Sequence, residues 1–159
     1  SYMGFAASAL LAAAMAKNPR YAIAFSGDGS FLMNPQIIVD AVAHGVRGMV
    51  VVFDNRRMAA ISALQTDQYG ADFATDDCVS IDYVALAAAV KGIKAVFGGY
   101  SSADLRLALT LAYAHDGLSL VHVPVYYGPD ERSRLGSYGR WNVGNWCDEV
   151  QARYHSQDL

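Results

Sequence analysis

Apolar positions along the chain alternate between two textures. Gly4 to Lys17 is rich in Ala, Leu and Met, which favour helix, and Asn18-Pro19 ends it. Tyr21 to Phe25 (YAIAF) is a short continuous apolar run, and the Ser26-Gly27-Asp28-Gly29 that follows reads as a buried strand entering a turn. From Asn34 or Pro35 to His44, Ile37, Ile38, Ala41 and Val42 recur at helical spacing, with Pro35 suited to the first turn and Gly45 to the end. Met49 to Phe53 (MVVVF) is a β-branched run that predicts a second strand, with Asp54-Asn55 at its carboxyl end.

Residues 56–80 carry many polar groups (Gln65, Thr66, Asp67, Gln68, Asp72, Thr75, Asp76, Asp77) and weak periodicity. They predict a long loop with one helical turn near Ala59 to Leu64, of a length that compact domains usually keep for function. Beyond it, Tyr83 to Val90 reads as a helix capped by Asp82 and closed by Gly92, and Ala95 to Phe97 as a short strand. Ser101 with Asp104 makes a capping box for an amphipathic helix to His115, with Leu105, Leu109 and Ala112 on one face, and Leu118 to Val125 is the last strand.

Continuous apolar strands separated by helices argue for an α/β fold: a three-layer parallel sheet with helices on both faces, built from residues 1–125. From Tyr126 the texture turns to Gly, Arg, Ser, Tyr and Trp, so residues 126–159 read as an irregular C-terminal tail that wraps the domain. No internal repeat is present. The chain starts at Ser1, inside what reads as a helix approach, and is expected to be a single domain taken from a longer chain.

Composition narrows the class of partner. The 159 residues are 53% hydrophobic and 17% charged, which suits a packed core. With net charge -3 and no basic run interleaved with aromatics, nucleic acid is not an expected partner. Met3 to Met15 is shorter than the roughly 20 residues of a membrane span, so no membrane is expected. Cys78 and Cys147 stand far apart and outside any metal-ligand spacing, which fits unpaired thiols in a reducing cytoplasm.

Ligands of open α/β sheets sit beyond the carboxyl ends of the strands, and two polar motifs fall there. In Ser26-Gly27-Asp28-Gly29-Ser30 the glycines allow close backbone approach, the amides near a helix start suit a phosphate, and Asp28 adds a hard oxygen. Mg²⁺ is typically held by one or two protein oxygens together with phosphates and water. Taken alone the triplet says little, because Asp-Gly is also a common hairpin turn. Here, however, Phe31 to Pro35 leads into helical spacing, not into a second strand. Asp54-Asn55 then follows Gly29 after 24 residues, where a side-chain amide oxygen can complete a metal site begun by Asp28.

The stretch GDGSFLMNPQIIVDAVAHGVRGMVVVFDN resembles the thiamine diphosphate enzymes, whose signature is Gly-Asp-Gly, about two dozen residues, then Asn-Asn after a β-branched run. The resemblance implies the thiamine diphosphate-binding fold, with Asp28 and Asn55 as side-chain Mg²⁺ ligands and the main-chain carbonyl of Arg57 as the third. It makes Gly27, Gly29 and Ser30 cofactor contacts, with Arg57 and Met58 at the second strand end. Asp54 stands where the family usually has its first Asn, a change also known in the acetolactate synthase-like branch. Arg57 stands where glycine is common, which puts the local turn in question. Ser1-Tyr2-Met3-Gly4-Phe5 is similar to the family's Gly-Ser-Met-Gly-Phe/Tyr segment, which would make Met3 the prop under the bent cofactor and give the Ser1 carbonyl a hydrogen bond from its 4'-amino group. Met3 as a plain core residue is the alternative.

In this family the cofactor supplies the nucleophilic C2 and the electron sink, while an activating glutamate lies on a pyrimidine-binding domain of a partner subunit. Nothing here matches that glutamate, so the chain alone is expected to catalyse nothing and to work within a homodimer or homotetramer. Trp141-Asn142-Val143 followed by Glu149-Val150 looks similar to the end of the cyclohexane-1,2-dione and trihydroxycyclohexane-1,2-dione hydrolases. That points to a small carbonyl substrate, a cyclic 1,2-diketone opened by C-C hydrolysis, with an acetolactate synthase or 2-oxo acid decarboxylase (a lyase or transferase) as the second reading. Many members of the branch are flavoproteins with FAD in a middle domain, which would lie outside this chain. A degenerate, non-catalytic cofactor-binding subunit is the reading from another class, motivated by Arg57. An ordinary nucleotide-binding domain is disfavoured, because no G-x-G-x-x-G or P-loop lysine follows the first strand.

His44, His115, His122 and His155 read as structural or surface residues, with a general-base role open. Tyr138, Trp141 and Trp146 read as anchors of the tail, with a place against the substrate as the alternative.

Overall fold

The computed structural model describes residues 2–71, 73–75 and 79–125. Its elements run α1 (Phe5–Ala14), β1 (Ala22–Gly27), α2 (Asp28–Leu32), α3 (Ile37–Ala43), β2 (Gly48–Asp54), α4 (Ala59–Tyr69), α5 (Tyr83–Ala88), β3 (Lys94–Phe97), α6 (Ser102–Tyr113) and β4 (Leu118–Pro124). The four strands form one parallel sheet in the order β1-β2-β4-β3, as the apolar, β-branched runs predict. Residues 1–55 and 80–126 make one compact unit, and residues 56–79 belong to a second.

Side chains of β2 alternate between two separate cores. Val50 and Val52 join Leu118 and Leu120 under α1, α3 and α5, where Ala7, Leu10, Ile37, Ile38 and Ala87 pack. Met49 and Val51 join Val121 and Val123 under α6, against Ala108 and Ala112. The α/β fold with helices on both faces is therefore as read from the chain. A fully buried Leu or Val contributes about 1.5–3 kcal/mol through the water it sheds, so this two-sided packing fixes the register of β2. On β1, Ala24 and Ser26 are buried while Ile23 and Phe25 are exposed on the other face, where Phe25 stacks on Phe53 at 5.9 Å.

Two expectations need correction. The Ser26-Gly27-Asp28-Gly29 stretch is not a turn: β1 continues through Gly27, and Asp28 is the first residue of the short α2. Phe31, 1% exposed, anchors that extra helix against Tyr83. Residues 56–80 are not a loop with one helical turn, because α4 runs for 11 residues to a left-handed Gly70 at φ 71°. Its described residues bury only Ser62, so the helical apolar stripe that sequence periodicity detects is missing.

The caps follow the sequence closely. Asp82 accepts from the Ala85 amide at 2.8 Å, and Ser101 Oγ accepts from the Asp104 amide at 3.1 Å while donating to Asp104 Oδ2 at 2.7 Å. Among the described residues no helix is long and apolar enough to cross a membrane. The predicted tail, with Tyr138, Trp141, Trp146 and His155, and the loop residues Asp72, Asp76 and Asp77, lie outside the described residues.

Candidate functional site

Strand register brings the two motifs together. Gly27 pairs with Phe53 across β1 and β2, so Asp28 leaves one strand end as Asp54 and Asn55 leave the next. Asp28 is 5% exposed, a level at which a carboxylate must be hydrogen-bonded, ion-paired or metal-bound. Its Oδ1 accepts from the Gly29 amide at 2.8 Å. A carboxylate offers about four lone-pair directions, so this bond orients Asp28 without by itself exhausting it. Asn55, directly after Asp54, is half-buried, with an amide oxygen of the hard type that Mg²⁺ takes.

Gly27 is exposed, extended (φ -70°, ψ 156°) and open to any L residue on backbone grounds. A Cβ built there meets no atom within 4 Å among the described residues. Crowding among the described residues therefore gives no reason for glycine, whereas a ligand lying against this backbone would. The donor set and this open cradle fit a metal-bound diphosphate.

The Met3 segment is tied to the same place. Gly4, at φ 85°, sits in the left-handed region, and its amide donates to Ser30 Oγ at 2.9 Å. Its carbonyl accepts from Ser8 Oγ, which in turn accepts from Asn34 Nδ2 at 3.2 Å. Thus Ser30 and Asn34 clamp the residue next to Met3 onto the end of α2. Met3 itself is exposed and takes no part in either core, against the plain-core alternative. Ser30, read as a diphosphate contact, uses its hydroxyl oxygen as the acceptor for Gly4, a role the sequence did not reveal. Ser1 lies outside the described residues.

Arg57 and Met58 belong to the second unit, where both are half-buried. The Arg57 guanidinium donates to Ser62 Oγ through Nε at 3.0 Å and through Nη2. The Met58 amide donates to the Thr75 carbonyl at 2.8 Å. The turn questioned at Arg57 is indeed unusual, but the left-handed residue is its neighbour Arg56, at φ 50°. A non-glycine residue held there costs about 1–3 kcal/mol, a strain that concentrates at functional sites.

One pairing escaped the sequence reading. His122 Nε2 lies 2.9 Å from Asp54 Oδ2, with the two side chains 12% and 11% exposed. Of the other described histidines, His44 is exposed just after α3, and His115 Nε2 lies 3.1 Å from the Gly92 carbonyl. A cleft of about 400 Å³ at the ends of β3 and β4, lined by Gly99, Ser101, Leu105, Val123 and Pro124 among others, includes none of the motif residues.

The domain family described as thiamine pyrophosphate enzyme, C-terminal TPP binding domain, matches residues 1–123. The chain belongs to this family. Thiamine diphosphate is accordingly its cofactor class. Over 169 aligned residues this TPP-binding domain is 30% identical to 3D-(3,5/4)-trihydroxycyclohexane-1,2-dione hydrolase of Bacillus subtilis (strain 168), covering 99% of the chain and 26% of that protein. It is 34% identical over 68 residues to the probable acetolactate synthase large subunit of Methanocaldococcus jannaschii, covering 43% of the chain and 12% of that protein. In three dimensions it is similar to the thiamine diphosphate-dependent 4-hydroxybenzoylformate decarboxylase of Rhodococcus jostii RHA1, with TM-score 0.72 and 22% identity over 80% of the chain and 24% of that protein. The chain thus spans about a quarter of the length of these relatives' chains where the match is fullest.

Proposed function

We propose that this domain holds Mg²⁺ and the diphosphate of thiamine diphosphate in an enzyme that opens a cyclic 1,2-diketone by C-C hydrolysis. The observation that carries the metal part is the buried Asp28, brought by the Gly27–Phe53 pairing to the strand end next to Asn55. Asp28 and Asn55 would ligate the metal by their side chains, and Arg57 by its carbonyl. Gly27, Gly29 and Ser30 would border the diphosphate, while Met3, Met58 and the Ser1 carbonyl would border the rings. Bound there, the cofactor supplies the nucleophilic carbon and the electron sink. The chain's own residues hold the charge, keep the backbone cradle open and set Met3 in place through Gly4 and Ser30.

The hydrolase reading is supported by 30% identity to a trihydroxycyclohexane-dione hydrolase across 99% of the chain. A synthase or decarboxylase remains the second reading, on the shorter acetolactate synthase match. In either case the activating glutamate would come from a pyrimidine-binding domain of a partner subunit in a cytoplasmic homodimer or homotetramer. Any FAD would sit in a separate domain. The 159 residues alone are expected to bind cofactor weakly and to turn nothing over.

Calorimetry of the full-length protein tests the site. Thiamine diphosphate should bind with a strong Mg²⁺ dependence that Asp28→Asn and Asn55→Ala each reduce by at least about tenfold, the loss of one metal contact of about 1.4 kcal/mol or more. Binding indifferent to both changes would leave only a non-catalytic module. Cyclohexane-1,2-dione assayed against pyruvate then separates hydrolase from synthase or decarboxylase.

A further inference from the structure

The His122–Asp54 pair sits immediately before the proposed metal ligand Asn55, and its surroundings give it more than a packing role. β2 and β4 pair with Val52 opposite His122 and Asp54 opposite Pro124. His122 and Asp54 are therefore diagonal neighbours on one face of the sheet, within reach of long side chains. Nε2 and Oδ2 meet at 2.9 Å in surroundings that leave each side chain about one-tenth exposed. A hydrogen bond in such low-dielectric surroundings is strong.

The imidazole cannot swing freely. Phe97, opposite it in the β3–β4 register, meets the ring at 5.5 Å and 65°, and Tyr83 meets it at 5.1 Å and 60°. Tyr83 is 1% exposed and in turn packs edge-on against Phe31 at 6.0 Å, three residues beyond Asp28. One aromatic wall thus borders both the helix that starts at Asp28 and the histidine that grips Asp54. The main chain adds a second hold: the Asp54 carbonyl accepts from the Val125 amide at 2.9 Å.

We propose that His122 is a positioning residue for the metal site, fixing Asp54 through the Nε2–Oδ2 hydrogen bond so that Asn55 leaves β2 already aimed beside Asp28. The inference rests on the Mg²⁺ reading of Asp28 and Asn55 given above. His122 itself touches neither metal nor substrate in this scheme. Its effect is on the preorganisation of the amide, and outer partners that orient a ligand typically change metal affinity by about 10–100-fold.

The test uses the full-length protein with thiamine diphosphate in excess and titrates Mg²⁺, following cofactor binding by calorimetry, with melting of the metal-free protein measured in parallel. His122→Phe keeps a ring between Phe97 and Tyr83 but cannot donate, and the Mg²⁺ half-saturation should rise by about tenfold or more. His122→Gln can donate and should recover most of that loss. Asp54→Ala removes the other half of the pair and should weaken Mg²⁺ by a similar factor, with no further loss in the double variant. It also carries the comparison with His122→Gln if the Phe variant does not fold. A lowered melting temperature with half-saturation changed less than twofold would make the pair purely structural and overturn the proposal. So would additive losses in the double variant, or a Gln variant as weak as Phe. A wild-type protein whose cofactor binding ignores Mg²⁺ would overturn the metal reading itself, a result distinct from all of these.

Discussion

Replacing Gly27 by alanine separates folding from cofactor binding, because folding is expected to be nearly indifferent to the change and binding is not. Its φ of -70° accepts alanine, and the added methyl meets no described atom within 4 Å. Lower entropy of the unfolded chain should stabilise the variant by about 0.4–1 kcal/mol. Gly27 is also the N-cap of α2, where alanine is worse than glycine by roughly 0.5–1 kcal/mol, so the two effects nearly cancel. The cofactor-free protein should therefore melt within a degree or two of wild type, on the order of 0.5 kcal/mol.

Against a diphosphate bound as proposed, the same methyl would be overpacked at a cost of about 1–3 kcal/mol, or about 5- to 150-fold in affinity. Wild type at a cofactor concentration 100 times Kd gains about 2.7 kcal/mol from the ligand, and a thirtyfold weaker variant would gain only about 0.9 kcal/mol. Melting the full-length protein with and without thiamine diphosphate and Mg²⁺ measures both quantities. A Gly27→Ala protein that keeps the whole cofactor-induced rise would refute the argument that this cradle faces the ligand.

Ser30→Ala should cost about 1 kcal/mol by leaving the Gly4 amide without its acceptor, read by chemical denaturation, and faster hydrogen exchange at Gly4 should accompany it. Tyr21→Phe tests the opposite end of the sheet. The Tyr21 hydroxyl is buried with no hydrogen-bond partner among the described residues, so its removal should be neutral or stabilising by up to about 1 kcal/mol. Burial, then the neighbouring Tyr113, raise the Tyr21 pKa above 10, with Arg47 opposing. A raised folded pKa means that its contribution to stability is complete below the unfolded pKa and is lost as pH climbs through the folded one. Wild type should therefore lose stability above about pH 10 more steeply than Tyr21→Phe, and parallel denaturation curves across that range would contradict the assignment.

What the sequence could and could not reveal follows from the range of each interaction. β2 and β4 are buried on both faces, so their apolar runs announce them directly. The caps at Asp82 and Ser101 act over three residues and are equally visible. α2 is hidden because glycine and aspartate read as turn formers, while the short helix is held by long-range contacts, Phe31 against Tyr83 52 positions later and Ser30 against Gly4. α4 was hidden because its described residues bury so little. The His122–Asp54 bond spans 68 residues and has no local signature. A signal did exist, since a histidine inside the run Leu118 to Val123 is a polar group in a buried strand and must find a partner. The nearest acid at the end of a neighbouring strand is Asp54.

The alternation of β2 between two cores also limits how this gene can change length. A residue inserted or lost within 48–55 would turn the remaining side chains through the sheet, moving Val52 out from under α1 and Asp54 away from His122. The same change at the Gly45 turn, where the backbone is left-handed and a Cβ would meet nothing within 4 Å among the described residues, leaves the strand in phase. Lineages of this domain should thus vary the distance between Gly29 and Asn55 by editing the turn before β2, while the strand itself stays fixed in length.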